Sequence, residues 1–304
     1  MLVVRDRRLP VASNTSAMEP QIVDIRSLPD GDPGCTWSAA LEAGKVLYFP
    51  SLAFEPLPAE LVLFTPGIRD PKSRNISLDA NDKLKGAAGE ADTVLALAAM
   101  MARFRRQADG LLAALFPAYA GKLKRGPVSF RPAQVENRVQ SWRADDRRLH
   151  IDAFPSRPNR GERLLRVFSN VNPEGVPRVW RVGQPFEQVA ERFLPRLPGY
   201  SPLKAKALQL LHVTKSLRSE YDHLMLQLHD AMKSDPDHQE HAPQERIGFQ
   251  SGSTWVCFSD QTSHAAMSGQ YLLEMTVQLA PGEQVDVESS PLAILSRMTG
   301  KVLV

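Results

Sequence analysis

Residues 148–158 read RLHIDAFPSRP (Arg148–Pro158), and the spacing of His150 and Asp152 in this stretch decides how the rest of the chain is read. In an extended strand, residues i and i+2 project to one face, so both side chains reach a single ion. A third ligand from another strand completes a two-histidine, one-carboxylate facial triad. That donor set suits iron(II) and leaves coordination positions open for further ligands. An isolated H-x-D arises often by chance, and alone it is more often a surface or core pair. The context shifts that balance. His264 lies in FSDQTSHAAMSGQYLLEMT (Phe258–Thr276), a polar turn between two apolar runs. A ligand from the far side of a β-roll belongs there.

Working outward, strand-like segments fall at Gly44–Pro50, Val128–Pro132, Arg163–Val171, Ser253–Ser259 and Gln270–Leu279. A polar stretch from Pro66 to Gly89 reads as a long loop. Two helices are expected, over about residues 90–116 and 201–233. In the first, Val94, Leu97, Ala98, Met101, Phe104, Leu111, Leu112 and Leu115 recur at helical spacing before Pro117. In the second, Ser201 and Pro202 supply an N-cap and first turn. Leu203, Ala207, Leu210, Leu211, Leu217, Tyr221, Leu224, Leu228 and Met232 then form one stripe, read as a packing face. The pattern lacks βαβα alternation and a glycine-rich phosphate loop, which excludes a doubly wound sheet. The expected class is α+β, a double-sheet β-roll decorated by helices. Residues 1–20 are read as a disordered tail and 21–304 as a single domain.

Composition narrows the function. At 43% hydrophobic and 23% charged residues, the chain has the balance of an ordinary globular protein, and no apolar run reaches the length of a membrane span. No signal peptide is read, so a cytoplasmic location is expected. The two cysteines, Cys35 and Cys257, are too few for a disulfide framework or a thiolate zinc site. Histidine and carboxylate must therefore carry any metal. Net charge is only +3. Basic clusters occur without a nucleic-acid motif or aromatic platform, so no nucleic-acid partner is expected and an anionic small molecule or lipid head group fits better. His212, His223, His229, His238 and His241 are read as helix surface, core or solvated loop. Trp142, Trp180 and Trp255 are read as core rather than sugar platforms.

Three longer blocks carry a resemblance. HIDAFPSRPNRGERLLRVFSNVNP (His150–Pro173), VPRVWRVGQPFEQVAERFLP (Val176–Pro195) and GSTWVCFSDQTSHAAMSGQYLLEMT (Gly252–Thr276) resemble the Kdo hydroxylase family. These are iron(II)- and 2-oxoglutarate-dependent dioxygenases that hydroxylate 3-deoxy-D-manno-oct-2-ulosonic acid (Kdo) of the lipopolysaccharide inner core. The resemblance runs from about Val46 to Leu279. It implies a double-stranded β-helix (jelly-roll or cupin-like) core, with iron on His150, Asp152 and His264. It also implies O2 and 2-oxoglutarate as cosubstrates, ascorbate as the reductant in an assay, and oxidation at C3 of the sugar.

Binding 2-oxoglutarate requires a cation for its distal carboxylate, best supplied by an arginine. Many relatives in the wider superfamily place it about ten residues after the distal histidine. Here that position is Glu274. Other branches place it on the strand after H-x-D, where Arg166 is the first choice and Arg163 the second. Three residues apart, the two face opposite sides of a regular strand, so only one points inward. Glu274 is placed to orient Arg166 from a neighbouring strand. Asn170, Asn172 and Gln270 are candidates for hydrogen bonds to the cosubstrate. Arg143, Arg148, Arg157 and Arg160 are the candidates for an anionic Kdo-containing lipid A precursor. Such a substrate brings with it an expectation of peripheral contact with the cytoplasmic face of the inner membrane. The rival readings are a dioxygenase of a protein or small metabolite, a non-catalytic sugar- or lipid-binding β-roll, and a cupin-like iron enzyme without 2-oxoglutarate.

Overall fold

Residues 19–26, 34–136 and 140–304 are described by the computed structural model. In chain order they form β1 (Ile22–Asp24), α1 (Gly34–Glu42), β2 (Val46–Phe49), β3 (Ile76–Leu78), β4 (Leu84–Lys85) and α2 (Ala91–Leu115). Next come β5 (Leu123–Arg131), β6 (Arg163–Asn170), β7 (Arg178–Gly183), α3 (Phe186–Phe193), α4 (Pro202–Leu210), α5 (Glu220–Ser234) and α6 (Pro236–His241). β8 (Gln244–Phe249), β9 (Ser253–Phe258), β10 (His264–Ser268), β11 (Leu272–Leu279) and α7 (Pro291–Thr299) follow. Among the described residues, no helix is long and apolar enough to cross a membrane.

The strands make two sheets. The larger runs β1-β2-β9-β6-β11-β5-β3-β4 and the smaller β10-β7-β8. Pairing is antiparallel except between β1 and β2. Period-two alternation sorts the side chains of the larger sheet. Leu165, Val167, Val256, Phe258, Leu273 and Met275 face one way, into a core shared with Trp37 and Leu41 of α1 and with Leu97, Met101, Phe104 and Leu112 of α2. Phe168, Trp255, Cys257 and Leu272 face the other way, against Trp180, Val182, Phe249 and Ala266 of the smaller sheet. Each such side chain contributes about 1.5–3 kcal/mol on burial, so the two faces fix the register of every strand between them. A third cluster joins α3, α5 and α7 through Phe186, Phe193, Leu224, Leu228 and Leu295, with Ile151 beneath. The result is the expected double-stranded β-helix decorated by helices.

Three sequence readings need revision. The 66–89 loop contains the β3–β4 hairpin, which extends the large sheet beyond β5. The helix expected over residues 201–233 is two helices. α4 stops before His212, which lies in the left-handed region at φ 56°. α5 restarts at a capping box, in which the Ser219 hydroxyl accepts from Asp222 N while Ser219 N donates to the Asp222 carboxylate. Trp142 is half-buried under the Arg143 guanidinium, 4.2 Å from its ring centre, instead of sitting in the core. Residues 1–18 of the expected tail lie outside the described residues.

Candidate metal centre and active-site cavity

His150 and His264 face each other as an isolated antiparallel bridge. His150 N donates to His264 O at 3.0 Å, and His264 N donates to His150 O at 2.9 Å. The bridge attaches the H-x-D segment to β10 as a fourth edge of the smaller sheet. Asp152 N donates to Ser259 O at 2.8 Å, which ties the carboxylate to the end of β9. Ile151, between the two, points instead into the helical cluster. Each histidine donates through Nδ1 to the carbonyl two residues before it, at 2.7 Å to Arg148 O and 2.8 Å to Thr262 O. That assignment leaves both Nε2 atoms as lone pairs, the state a metal-ligating imidazole needs. His150 Nε2 is 3.8 Å from Asp152 Oδ1, and the three ligand atoms lie within 4.8 Å of one another.

The electrostatics match. Burial, with His264 beside it, pulls the His150 pKa well below its usual value, and burial lowers His264 too, so both rings are neutral. Burial opposes ionisation of Asp152, but Arg166, His264 and His150 together outweigh it and hold the carboxyl well below the ordinary range. Two neutral imidazoles and one carboxylate converging on one point fit a divalent cation with open positions. Trp180 stacks on His264 (5.1 Å, 23°), and His229 of α5 stands edge-on to His150 (5.5 Å).

A chain of alternating charges leads away from the triad. Arg166 Nη2 is 3.0 Å from Asp152 Oδ2, and Arg166 Nη1 donates to Glu274 Oε1 at 2.7 Å. Arg131 Nη2 is 2.6 Å from Glu274 Oε2, and Arg74 donates to both Asp146 oxygens at 2.7 Å. The strands explain the meeting. Glu274 lies opposite Phe168 on β6, while Arg131 ends β5 opposite Leu272, so these side chains share the inward face. Burial would neutralise Glu274, yet Arg131 and Arg166 keep it ionised.

The triad opens into a cavity of about 580 Å³, within the range of small-molecule sites. Among the described residues its walls carry six basic residues (Arg74, Arg131, Arg143, Arg166, Arg178 and Lys233) against four acidic ones (Asp146, Asp152, Asp230 and Glu274). A divalent metal adds two more positive charges. The cavity is therefore built for anions. Arg178 is held by donating to Gly269 O at 3.0 Å. Gly269, at φ 113°, is required there, since a Cβ would lie 2.9 Å from Arg178 Cδ.

Of the residues singled out in the sequence, His150, Asp152, His264, Arg166 and Arg143 come together in this cavity. Arg163 does not. It is fully buried on the opposite face of β6, bonded to Asp260 Oδ2 at 2.7 Å and Gln261 Oε1 at 2.5 Å, and stacked 3.9 Å over Phe258. Asn170 donates to Val176 O and Phe249 O, Asn172 caps a turn at Glu174, and Gln270 donates to Pro132 O. All three serve the backbone. Arg148 donates to Lys233 O at the end of α5. Arg157 and Arg160 are not among the lining residues. Sequence reasoning passed over Arg74, Arg131, Asp146, Arg178, Trp180, His229 and Lys233. A signal existed for two of them, because His229 and Lys233, four apart, interrupt the buried apolar stripe of α5 with polar groups.

Comparison with known proteins gives a consistent answer. Residues 26–302 match the family described as 3-deoxy-D-manno-oct-2-ulosonic acid (Kdo) hydroxylase. The chain is similar to the apo structure of the Kdo hydroxylase KdoO, described as a non-heme Fe(II) alpha-ketoglutarate (2-oxoglutarate) dependent dioxygenase. Identity is 40% and the TM-score 0.90, over 94% of this chain and 98% of that one. The same figures hold for KdoO in complex with alpha-ketoglutarate and Fe(III). For its complex with succinate and Fe(III), identity is 41% and the TM-score 0.89, over 93% and 97% of the two chains. A search of curated protein sequences gives no match.

Proposed function

This chain belongs to the Kdo hydroxylase family, and from that premise we propose that it hydroxylates C3 of Kdo on a lipid A precursor, using iron(II), 2-oxoglutarate and O2. The observation that carries the reading is the cluster of His150, Asp152 and His264, with both histidines buried, lining a basic cavity. When bound, iron(II) supplies the coupling of 2-oxoglutarate oxidation, to succinate and CO2, with insertion of one oxygen atom into a substrate C–H bond.

The residues of the chain supply the rest. His150 and His264 present Nε2 because the Arg148 and Thr262 carbonyls hold Nδ1 as donor. Asp152 supplies the carboxylate, oriented by Arg166. Arg166 is also the proposed anchor for 2-oxoglutarate. It lies on the inward face of β6, its guanidinium reaches both Asp152 and Glu274, and Arg131 completes the pair on the other Glu274 oxygen. Arg163 lies on the opposite face of β6, paired with Asp260 outside the cavity, and is set aside for that reason. The sugar carboxylate and lipid phosphates would meet Arg143, Arg74 and Lys233, which also line the cavity, and Lys233 already donates to Arg143 O at 2.8 Å. Phe154 and Trp180 give the cavity apolar surface that excludes water from the reacting carbon. The enzyme would work in the cytoplasm, against the inner face of the membrane that holds its substrate.

The test is succinate release and product mass with purified protein, iron(II), ascorbate, 2-oxoglutarate and a Kdo-containing lipid A precursor. A gain of one oxygen on the sugar, lost in His150→Ala, is expected. Arg166→Ala should raise the 2-oxoglutarate requirement at least tenfold, as expected when a buried bidentate carboxylate partner is removed. If Arg178→Ala raises it and Arg166→Ala does not, the anchor lies on β7. Decarboxylation without sugar oxidation overturns the substrate assignment.

A further inference from the structure

The stripe Leu203, Ala207, Leu210 and Leu211, at spacing i, i+4, i+7 and i+8, reads in the sequence as a packing face. Among the described residues it packs on nothing. Leu203 is 80% exposed, Leu210 79% and Leu211 71%, with Val213 and Leu217 exposed just beyond. Ala205, on the other side of α4, is the buried residue of the helix. In α5 the continuation of the same stripe is buried through Tyr221, Leu224, Leu228 and Met232. The break between the two helices thus turns the first half of the stripe outward.

Charge follows the same segment. Between Glu191 and Glu220 the chain has no acidic residue, while Lys204, Lys206, Lys215 and Arg218 lie in or beside α4. The three lysines are exposed. Large aliphatic side chains ringed by lysine, on a helix too short to span a bilayer, have the composition of an interfacial element that sits among lipid head groups. The segment is also bonded to the rim of the cavity. Arg218 Nη2 donates to Pro155 O at 2.6 Å and Lys215 N to Ser156 O at 2.9 Å. Phe154 and Pro155 line the cavity mouth, and Phe154 is itself exposed.

We propose that α4 and the following turn dock this protein on an anionic phospholipid bilayer, inserting Leu203, Leu210 and Leu211 while Lys204, Lys206 and Lys215 pair with lipid phosphates. Docking there would hold the cavity mouth against the leaflet, so that a sugar borne on a lipid enters without the lipid leaving its membrane. The consequence for turnover rests on the reading of the substrate given above; the docking itself does not.

The experiment is co-sedimentation of the full-length, metal-loaded protein with vesicles of phosphatidylethanolamine and phosphatidylglycerol, against vesicles of phosphatidylcholine alone. Binding to the anionic vesicles that weakens with salt is expected. Leu210→Asp with Leu211→Asp should abolish it. Lys204→Ala with Lys206→Ala should weaken it about tenfold or more, with thermal melting and metal binding unchanged in both pairs. Absence of wild-type binding, or variants that bind as wild type does, overturns the proposal. So does a wild-type dimer in solution that the aspartates split, which would assign the face to a second copy of the chain. Vesicle binding is read without turnover, so its failure and the failure of the hydroxylation assay are separate results.

Discussion

Arg163 and Arg166 show how much a three-residue offset decides. One residue is turned to the metal cavity, and the other to a dry pocket where Asp260, Gln261 and the Phe258 ring use it fully. Asp260 also accepts from Leu164 N at 3.0 Å, so the pair fastens β6 to the turn that carries His264. Both side chains of this ion pair are fully buried. Removing one partner leaves a buried charge uncompensated, which costs about 3–5 kcal/mol. Arg163→Ala should lower the unfolding free energy by that amount in denaturant titration. Arg163→Met combined with Asp260→Asn should recover part of the loss, because no charge is then stranded. The opposite facing of the two arginines follows from strand periodicity alone, and so is legible in the sequence. Which of them met a cavity depended on Glu274, Asp152 and Asp260, brought in from three distant segments.

The same division holds among the elements. β2 and β9 are buried on both faces and appear in the sequence as largely apolar runs, and β6 and β11 do too apart from the polar positions that include Arg163, Arg166 and Glu274. The smaller sheet does not appear there. β7 alternates Arg178, Trp180 and Val182 inward with Val179 and Arg181, and β8 reads QERIGF, so neither looks like a strand without its partner. The break between α4 and α5 was legible in principle, because Ser219 and Asp222 stand at capping-box spacing. A stripe of leucines running through the break hid it. Ser219→Ala should cost about 1 kcal/mol. Asp222→Ala should cost more, since its other oxygen accepts from Asn159 N and Arg160 N, both at 2.9 Å. Urea unfolding of the two variants compares them directly; equal losses would mean that the Asn159 and Arg160 turn gains nothing from α5.

In the whole molecule, the three candidate ligands arrive from two places: the segment bridged to β10 and the first residue of β10 itself. Metal binding therefore joins parts of the fold that separate on unfolding, and loading with iron(II) or cobalt(II) should raise the melting temperature. The stabilisation is about 2.7 kcal/mol at a hundredfold excess over Kd. The paired backbone bonds between His150 and His264 add a kinetic consequence. The rung holds the two backbones together while the Arg148 and Thr262 carbonyls hold the rings, so release of a bound ion is expected to wait on a local opening of this segment. Loss of metal to a chelator should then reach a rate that no further chelator increases, and the His150 and His264 amides should exchange their hydrogens for deuterium at that same rate.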